Sequence, residues 1–149
     1  MSIREATLND VEAISPLFDA YRVFYEQTSD LDGVAQCLKE NLSCQRSHVF
    51  VFEENETVLG FTQLYPAFCS VEMQPFFVLY DLYVVPAARA KGVGTSLLRF
   101  AHDWAKAKGA SRVDLETAHT NVTAQSVYEA LGYELDTEFR KYSFHLASG

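Results

Sequence analysis

Residues 85–96 read Val-Pro-Ala-Ala-Arg89-Ala-Lys91-Gly92-Val-Gly94-Thr-Ser, joining an apolar run to an amphipathic segment. Glycines at 92 and 94 remove Cβ atoms, so main-chain N–H groups can converge on one anion. A helix N-terminus adds partial positive charge, and Arg89 and Lys91 add full charges. By physical description this is a pyrophosphate cradle, with a plain permissive loop as the competing reading. A dinucleotide fingerprint would need a third glycine where Leu97 stands and would follow the first strand, not one in mid-chain. A P-loop needs Gly-Lys-Ser/Thr, which occurs nowhere in the chain.

Asp81 interrupts the apolar run Phe76–Val85. A lone carboxylate is costly to bury, so it is either paired within the structure or used in chemistry. Cys37, Cys44 and Cys69 are odd in number and form no Cys-x-x-Cys pair, so they read as small core residues, not as a disulfide framework or zinc site. None lies near a recognisable partner for nucleophilic catalysis. His48, His102 and His145 lack metal-ligand spacing, and His119 reads as a loop histidine; no metal is expected.

The elements that position these groups follow from periodicity. Residues 2–6 form a strand. Thr7 caps the next helix, with Asp10 completing a capping box. Val11, Ile14, Phe18, Tyr21 and Tyr25 make its apolar stripe, with Pro16 as a possible kink; Tyr21 and Tyr25 read as core. The stretch Gln27–Gly33 breaks it, and Val34, Leu38 and Leu42 mark a second helix. His48–Glu53 and Val58–Tyr65 form a hairpin, ended by Pro66, with a loop over 67–75. Phe76–Val85 is a central strand, and 92–108 a helix with Trp104 packing on its apolar face and Gly109 closing it. Arg112–Thr117 is a strand, Asn121–Leu131 a helix, and Tyr133–Glu138 and Phe139–His145 two closing strands. The order β-α-α-β-β-β-α-β-α-β-β is that of an α/β domain, read as one domain over 1–149.

In this order Arg89-x-x-Gly92-x-Gly94, after a strand ending Val-Val-Pro, resembles the acyl-CoA-binding motif of the GNAT N-acetyltransferase superfamily. About 27 residues beyond Gly94, Asn121-Val-Thr-Ala124-Gln-Ser-Val-Tyr128-Glu-Ala-Leu-Gly132-Tyr133 is similar to the family's second motif. Phe61-Thr-Gln-Leu-Tyr-Pro66 and Tyr80-Asp-Leu-Tyr-Val84 resemble a subgroup that includes a yeast histone and polyamine acetyltransferase. Ala90 departs from the pattern, since the family most often has glycine there.

The resemblance implies a mixed, mostly antiparallel central sheet with helices on both faces. It implies direct transfer of acetyl from acetyl-CoA to an amine in a ternary complex, with no acyl-enzyme. Leu82, Tyr83 and Val84 would hold the pantetheine arm, the main chain of Leu82 and Val84 pairing with it as an added strand and polarising the thioester carbonyl. Arg89, Ala90, Lys91, Gly92, Val93, Gly94 and Thr95 would hold the phosphates, with Asn121 and Ala124 also on the cofactor. Tyr128 resembles the general acid that protonates the departing sulfur. Asp81 is the first candidate to take the ammonium proton, directly or through water, with Glu116 and Glu26 as alternatives; a hydrogen-bonded structural carboxylate is the competing reading. Tyr25, Glu26, Tyr65 and Glu116 are candidate acceptor contacts. A homodimer is also implied.

Charge narrows the partners. The 149 residues carry a net charge of -8, which opposes nucleic-acid binding. Residues 1–60 hold four basic and eleven acidic side chains, while 61–149 hold eight and nine. An acidic first half would attract cationic amines. No signal-like apolar stretch opens the chain and no run approaches a membrane span, so a cytoplasmic enzyme is expected. The expected activity is transfer to a small cationic, polyamine-like amine. Alternatives are acetylation of protein lysine or N-termini, or a non-catalytic acyl-CoA-binding regulatory domain.

Overall fold

The computed structural model describes residues 1–147. Two compact units are distinguished, Met1–Glu116 and the segment from Thr117 onward.

The first unit is built on a five-stranded sheet of order β1-β2-β3-β4-β5, comprising Ser2–Glu5, His48–Glu54, Thr57–Cys69, Gln74–Val84 and Val113–Leu115. The first four strands are antiparallel neighbours and β5 joins β4 in parallel. The helices are α1 (Val11–Phe24), α2 (Leu31–Ser43) and α3 (Val93–Ala107). This is the mixed, mostly antiparallel α/β sheet expected from the sequence.

Strand alternation sorts the core onto two faces. Val49, Val51 and Phe61 face α1 and α2, where Ile14, Phe18, Val34 and Leu38 cover them. On the other face, Phe50 meets Phe100 and Trp104 of α3, and Trp104 also packs on Phe77 and His48. Trp104 is thus a packing residue. Gly60 lets α3 sit close: a Cβ there would lie 3.1 Å from the Tyr83 carbonyl oxygen and 3.2 Å from Val93 and Leu97.

The expected capping box is present, Thr7 accepting from the Asn9 N–H and Asp10 accepting from the Thr7 N–H. Arg4 then grips Asp10 with two nitrogens at 2.8 and 2.9 Å and reaches Glu53 at 2.9 Å. Helix α1 runs through Pro16. Helix α2 starts earlier than its apolar stripe indicated, because Asp30 caps it by accepting from the Gly33 N–H.

Three expectations need correction. Pro66 does not end β3, which continues to Cys69, and the loop expected over 67–75 shrinks accordingly. Beyond Leu64, β3 pairs only with β4, so a proline missing its N–H can face the open edge at no cost to the ladder. β5 is shorter than Arg112–Thr117. The closing strands over Tyr133–Glu138 and Phe139–His145 are not formed; residues 133–147 belong to no strand. Their apolar side chains, including Leu135, Phe139, Tyr142, Phe144 and Leu146, stay exposed, and without burial an alternating pattern gains nothing from becoming a strand.

In the second unit, α4 (Val122–Ala130) is capped by Asn121, whose side chain accepts from the Ala124 N–H at 3.2 Å. Gly132 follows with φ +103°, closing the helix as expected.

Candidate active site

Two local features of β4 create the site in the first unit. The pairing of β3 with β4 shifts register between Gln63/Asp81 and Leu64/Leu79, leaving Tyr80 as an extra residue. Such a bulge bends the strand and re-aims its side chains. At the same height β4 loses β5, whose last paired residue is Leu115 opposite Leu79. The Val85 N–H bonds the Leu59 carbonyl across to β3. By alternation, the main-chain groups of Leu82 and Val84 face the side β5 has left. The Val84 carbonyl is met there by Arg89 Nε at 2.9 Å.

The turn after β4 leads into α3. Its non-glycine residue Ala90 has φ +62° and Gly92 has φ +82°. Gly92 stands at the N-cap with no side-chain capping bond, and a Cβ there would meet nothing within 4 Å. The first-turn N–H groups of Val93, Gly94 and Thr95 are of the kind a helix leaves without an internal partner. The turn is exposed at Arg89, Ala90, Lys91 and Gly92, and the Arg89 guanidinium lies 5.4 Å from the Tyr83 ring centre. Open space, uncapped donors, the helix end and two cations fit an anionic diphosphate.

Asp81 sits at the bulge, 4 % exposed. Its Oδ2 accepts from Gln63 Nε2 at 2.7 Å, and the Tyr21 hydroxyl donates to the adjacent Tyr80 main-chain oxygen at 2.9 Å. Burial pushes its pKa above the ordinary carboxylate value, while the bond from Gln63 and the nearby Tyr21 hydroxyl pull it back. Gln63 Oε1 accepts from Ser47 Oγ at 2.6 Å and Asn41 Nδ2 at 3.1 Å. Asn41 Nδ2 also lies 3.2 Å from the Tyr65 hydroxyl. Burial raises the Tyr65 phenol, and the nearby Asp81 charge adds to the effect. An open cavity of about 300 Å³ is lined by Tyr65, Val78 and Tyr80.

The sequence-derived residues separate into groups. Asp81 and Tyr65 are joined through Gln63 and Asn41. Tyr25 is exposed, its ring 5.0 Å from that of Tyr21, and Glu26 follows α1 with φ +64°. Glu116 is exposed just past β5. In the second unit, Asn121 and Ala124 form the α4 cap, and the Tyr128 ring lies 5.8 Å from that of Tyr133. Gln63, Asn41, Ser47 and the Tyr21 hydroxyl were not singled out in the sequence. The signal for Gln63 was available: like Asp81, it is a polar residue inside an apolar strand, and the two are cross-strand partners. Among the described residues no cluster of three His, Cys, Asp or Glu could hold a metal ion.

The profile of the Acetyltransferase (GNAT) family matches residues 12–133, spanning both the loop and Tyr128. The chain belongs to the GNAT acetyltransferase family. It is 48 % identical over 146 residues to an uncharacterized N-acetyltransferase of Bacillus subtilis, covering 98 % of each protein. The crystal structure of a probable acetyltransferase superposes with a TM-score of 0.94 at 34 % identity, covering both chains entirely. A D-amino-acid N-acetyltransferase of Saccharomyces cerevisiae is 32 % identical over 83 residues, 56 % of this chain and 52 % of the yeast protein. The chain is therefore a GNAT acyltransferase, of a family that uses acetyl-CoA as cosubstrate.

Proposed function

We propose that this acetyltransferase moves the acetyl group of acetyl-CoA directly to the nitrogen of a small cationic primary amine, with polyamine-like molecules as the leading acceptor class. The observation that carries the reading is Asp81, a buried carboxylate at the bulge where β4 parts from β5. An ionised carboxylate is expensive at such a position, and burial brings its proton affinity closer to that of a working base.

Acetyl-CoA, when bound, supplies the activated acyl thioester. Main-chain N–H groups of residues 90–95, with Lys91 and the α3 N-terminus, hold its phosphates, Arg89 adding charge. Leu82 and Val84 offer main-chain groups to the pantetheine arm, beside Tyr83. Asp81 accepts the ammonium proton, leaving the nitrogen lone pair free for attack. Tyr128 gives its phenolic proton to the sulfur as the C–S bond breaks; this role rests on the second motif, as do those of Asn121 and Ala124. The rings of Tyr65 and Tyr80, 6.0 Å apart, offer faces to a cationic acceptor. Tyr25, Glu26 and Glu116 remain candidate contacts of that acceptor.

The family profile spanning both units supports one acetyltransferase domain over the chain. Exposed apolar side chains after Tyr133 support a homodimer. Three unpaired cysteines suit a cytoplasmic location.

The test is the pH dependence of kcat/KM in two variants. Asp81→Asn should lower kcat/KM by about 10²-fold and remove the acidic limb. Tyr128→Phe should lower kcat by a similar factor and remove the basic limb. An unaltered profile in Asp81→Asn rules out the base assignment, and full kcat across pH in Tyr128→Phe rules out the acid.

A further inference from the structure

Asp81 lies where β4 bulges, and a bulge leaves main-chain groups outside the ladder. Side chains hold those groups. The Tyr21 hydroxyl donates to the Tyr80 main-chain oxygen at 2.9 Å, and Thr62 Oγ1 donates to the Asp81 main-chain oxygen at 2.8 Å. Gln63, the cross-strand partner of Asp81, holds the carboxylate itself, its Nε2 lying 2.7 Å from Oδ2. Thr62 and Gln63 are both fully buried.

The Gln63 amide has one orientation. Its Oε1 accepts from Ser47 Oγ at 2.6 Å and from Asn41 Nδ2 at 3.1 Å. Turning the amide over would set its NH₂ against the Asn41 NH₂ and its oxygen against Asp81 Oδ2. Those are two contacts between like poles in a buried place. Asn41 is fixed in turn, because its Nδ2 serves both Gln63 Oε1 and the Tyr65 hydroxyl, the latter at 3.2 Å. Ser47 and Asn41 are buried as well, so solvent does not compete for these bonds.

An amide so locked is a donor only on the side that faces the carboxylate. We propose that Gln63 is a positioning residue of the reaction, holding Asp81 Oδ2 as an acceptor and so leaving Oδ1 as the oxygen that takes the proton of the acceptor ammonium. This rests on the reading of Asp81 as the base. The step balances: an N–H bond of the ammonium breaks, its electron pair stays on nitrogen as the nucleophilic lone pair, and an O–H bond forms at Oδ1. The carboxylate becomes neutral without losing the bond from Gln63, so the fold around it keeps its partners at both stages. Ser47 and Asn41 act on Asp81 through Gln63.

The groups around Asp81 are Tyr21 from α1, Gln63 and Tyr65 from β3, and Cys37 and Asn41 from α2. Tyr65 and Cys37 are both held above their ordinary pKa values, burial being the first cause, so neither ionises in the range where Asp81 titrates. Arg22, Arg46 and Glu40 act on Cys37, and Arg46 on Tyr65.

Two variants beside Asp81→Asn test the role in the full chain. Gln63→Glu keeps the side-chain shape and an oxygen for Ser47 and Asn41, and replaces only the NH₂ that faces Oδ2. Two carboxyls then share one proton, so the acidic limb of kcat/KM should move up by at least about one pH unit. Ser47→Ala touches Gln63 and not Asp81. It should lower kcat/KM for the amine by about threefold to tenfold, with KM for acetyl-CoA unchanged. Ser47→Ala combined with Asp81→Asn should be no slower than Asp81→Asn alone, because the hydroxyl acts only through the carboxylate. An acidic limb left in place in Gln63→Glu, or losses from Ser47→Ala and Asp81→Asn that multiply, overturns the positioning role and leaves the base intact. An Asp81→Asn enzyme of full activity overturns the base itself, and the positioning role with it. Circular dichroism and thermal melts of each variant separate these results from misfolding, and the Ser47→Ala cycle decides the matter if Gln63→Glu does not fold.

Discussion

A neutral replacement at Asp81 exposes what the carboxylate costs the fold. Burial raises its folded-state pKa above the unfolded value. Between the two values the native state binds more protons than the unfolded chain. Stability from this group is therefore present at low pH and is lost as pH rises through the folded pKa. Asp81→Asn keeps the shape and an oxygen for Gln63 Nε2, and removes that loss. The variant should be more stable than the parent at and above neutral pH. The advantage should shrink as pH falls toward about 4. Thermal melts across pH check this, and a parent more stable at every pH would contradict it. Greater stability with lower activity is the pattern of a residue kept for chemistry. Asp81 was legible in the sequence because a lone charge in an apolar run demands an explanation. Its partners were less so, because Asn41 and Ser47 are distant in sequence and reach Gln63 only once α2 and β2 pack on the sheet.

The turn between β4 and α3 carries strain of its own. Ala90 has φ +62°, where the Cβ of an L-residue crowds its own main chain. Glycine avoids that crowding but loses more conformational entropy on folding. The balance favours Ala90→Gly by about 0.5–1 kcal/mol. A melt of the variant should show a small rise in stability, with KM for acetyl-CoA no higher than the parent's. A fall in stability would mean that the methyl makes contacts worth more than the strain. Most elements were readable from periodicity: the Thr7–Asp10 box, the hairpin and the α3 stripe all stand in the structure. The limits of β3 were not, because Pro66 ends a strand only where its missing N–H would face a partner. The bulge at Tyr80 was also hidden, since register is a property of two strands together and not of either sequence.

The acidic half of the chain is a property of the whole molecule. Several of its carboxylates have structural partners: Asp10 and Glu53 on Arg4, Glu5 on His48, Asp19 on Ser29 and the Asp30 N–H. Pairing spends local contacts, yet the surplus of residues 1–60 persists as a long-range field. That field should draw polycations toward the first unit, while Tyr65 and Tyr80 supply ring faces in the cavity. For a polyamine, kcat/KM should fall about threefold between roughly 0.05 and 0.3 M salt, with kcat steady. A flat response would make the surplus a solvated surface only. Closing strands at the C-terminal end could not be judged from alternation alone, because a strand needs a neighbour, and residues 133–147 form none.

The most direct measurement is release of free CoA thiol from acetyl-CoA over a panel of spermidine, an aminoglycoside and a lysine peptide, with product mass confirming N-acetylation. The predicted result is amine-dependent thiol release, with the highest kcat/KM for the small polyamine. Acetylation of the lysine peptide in preference to the small amines, or thiol release that no amine accelerates, would contradict it.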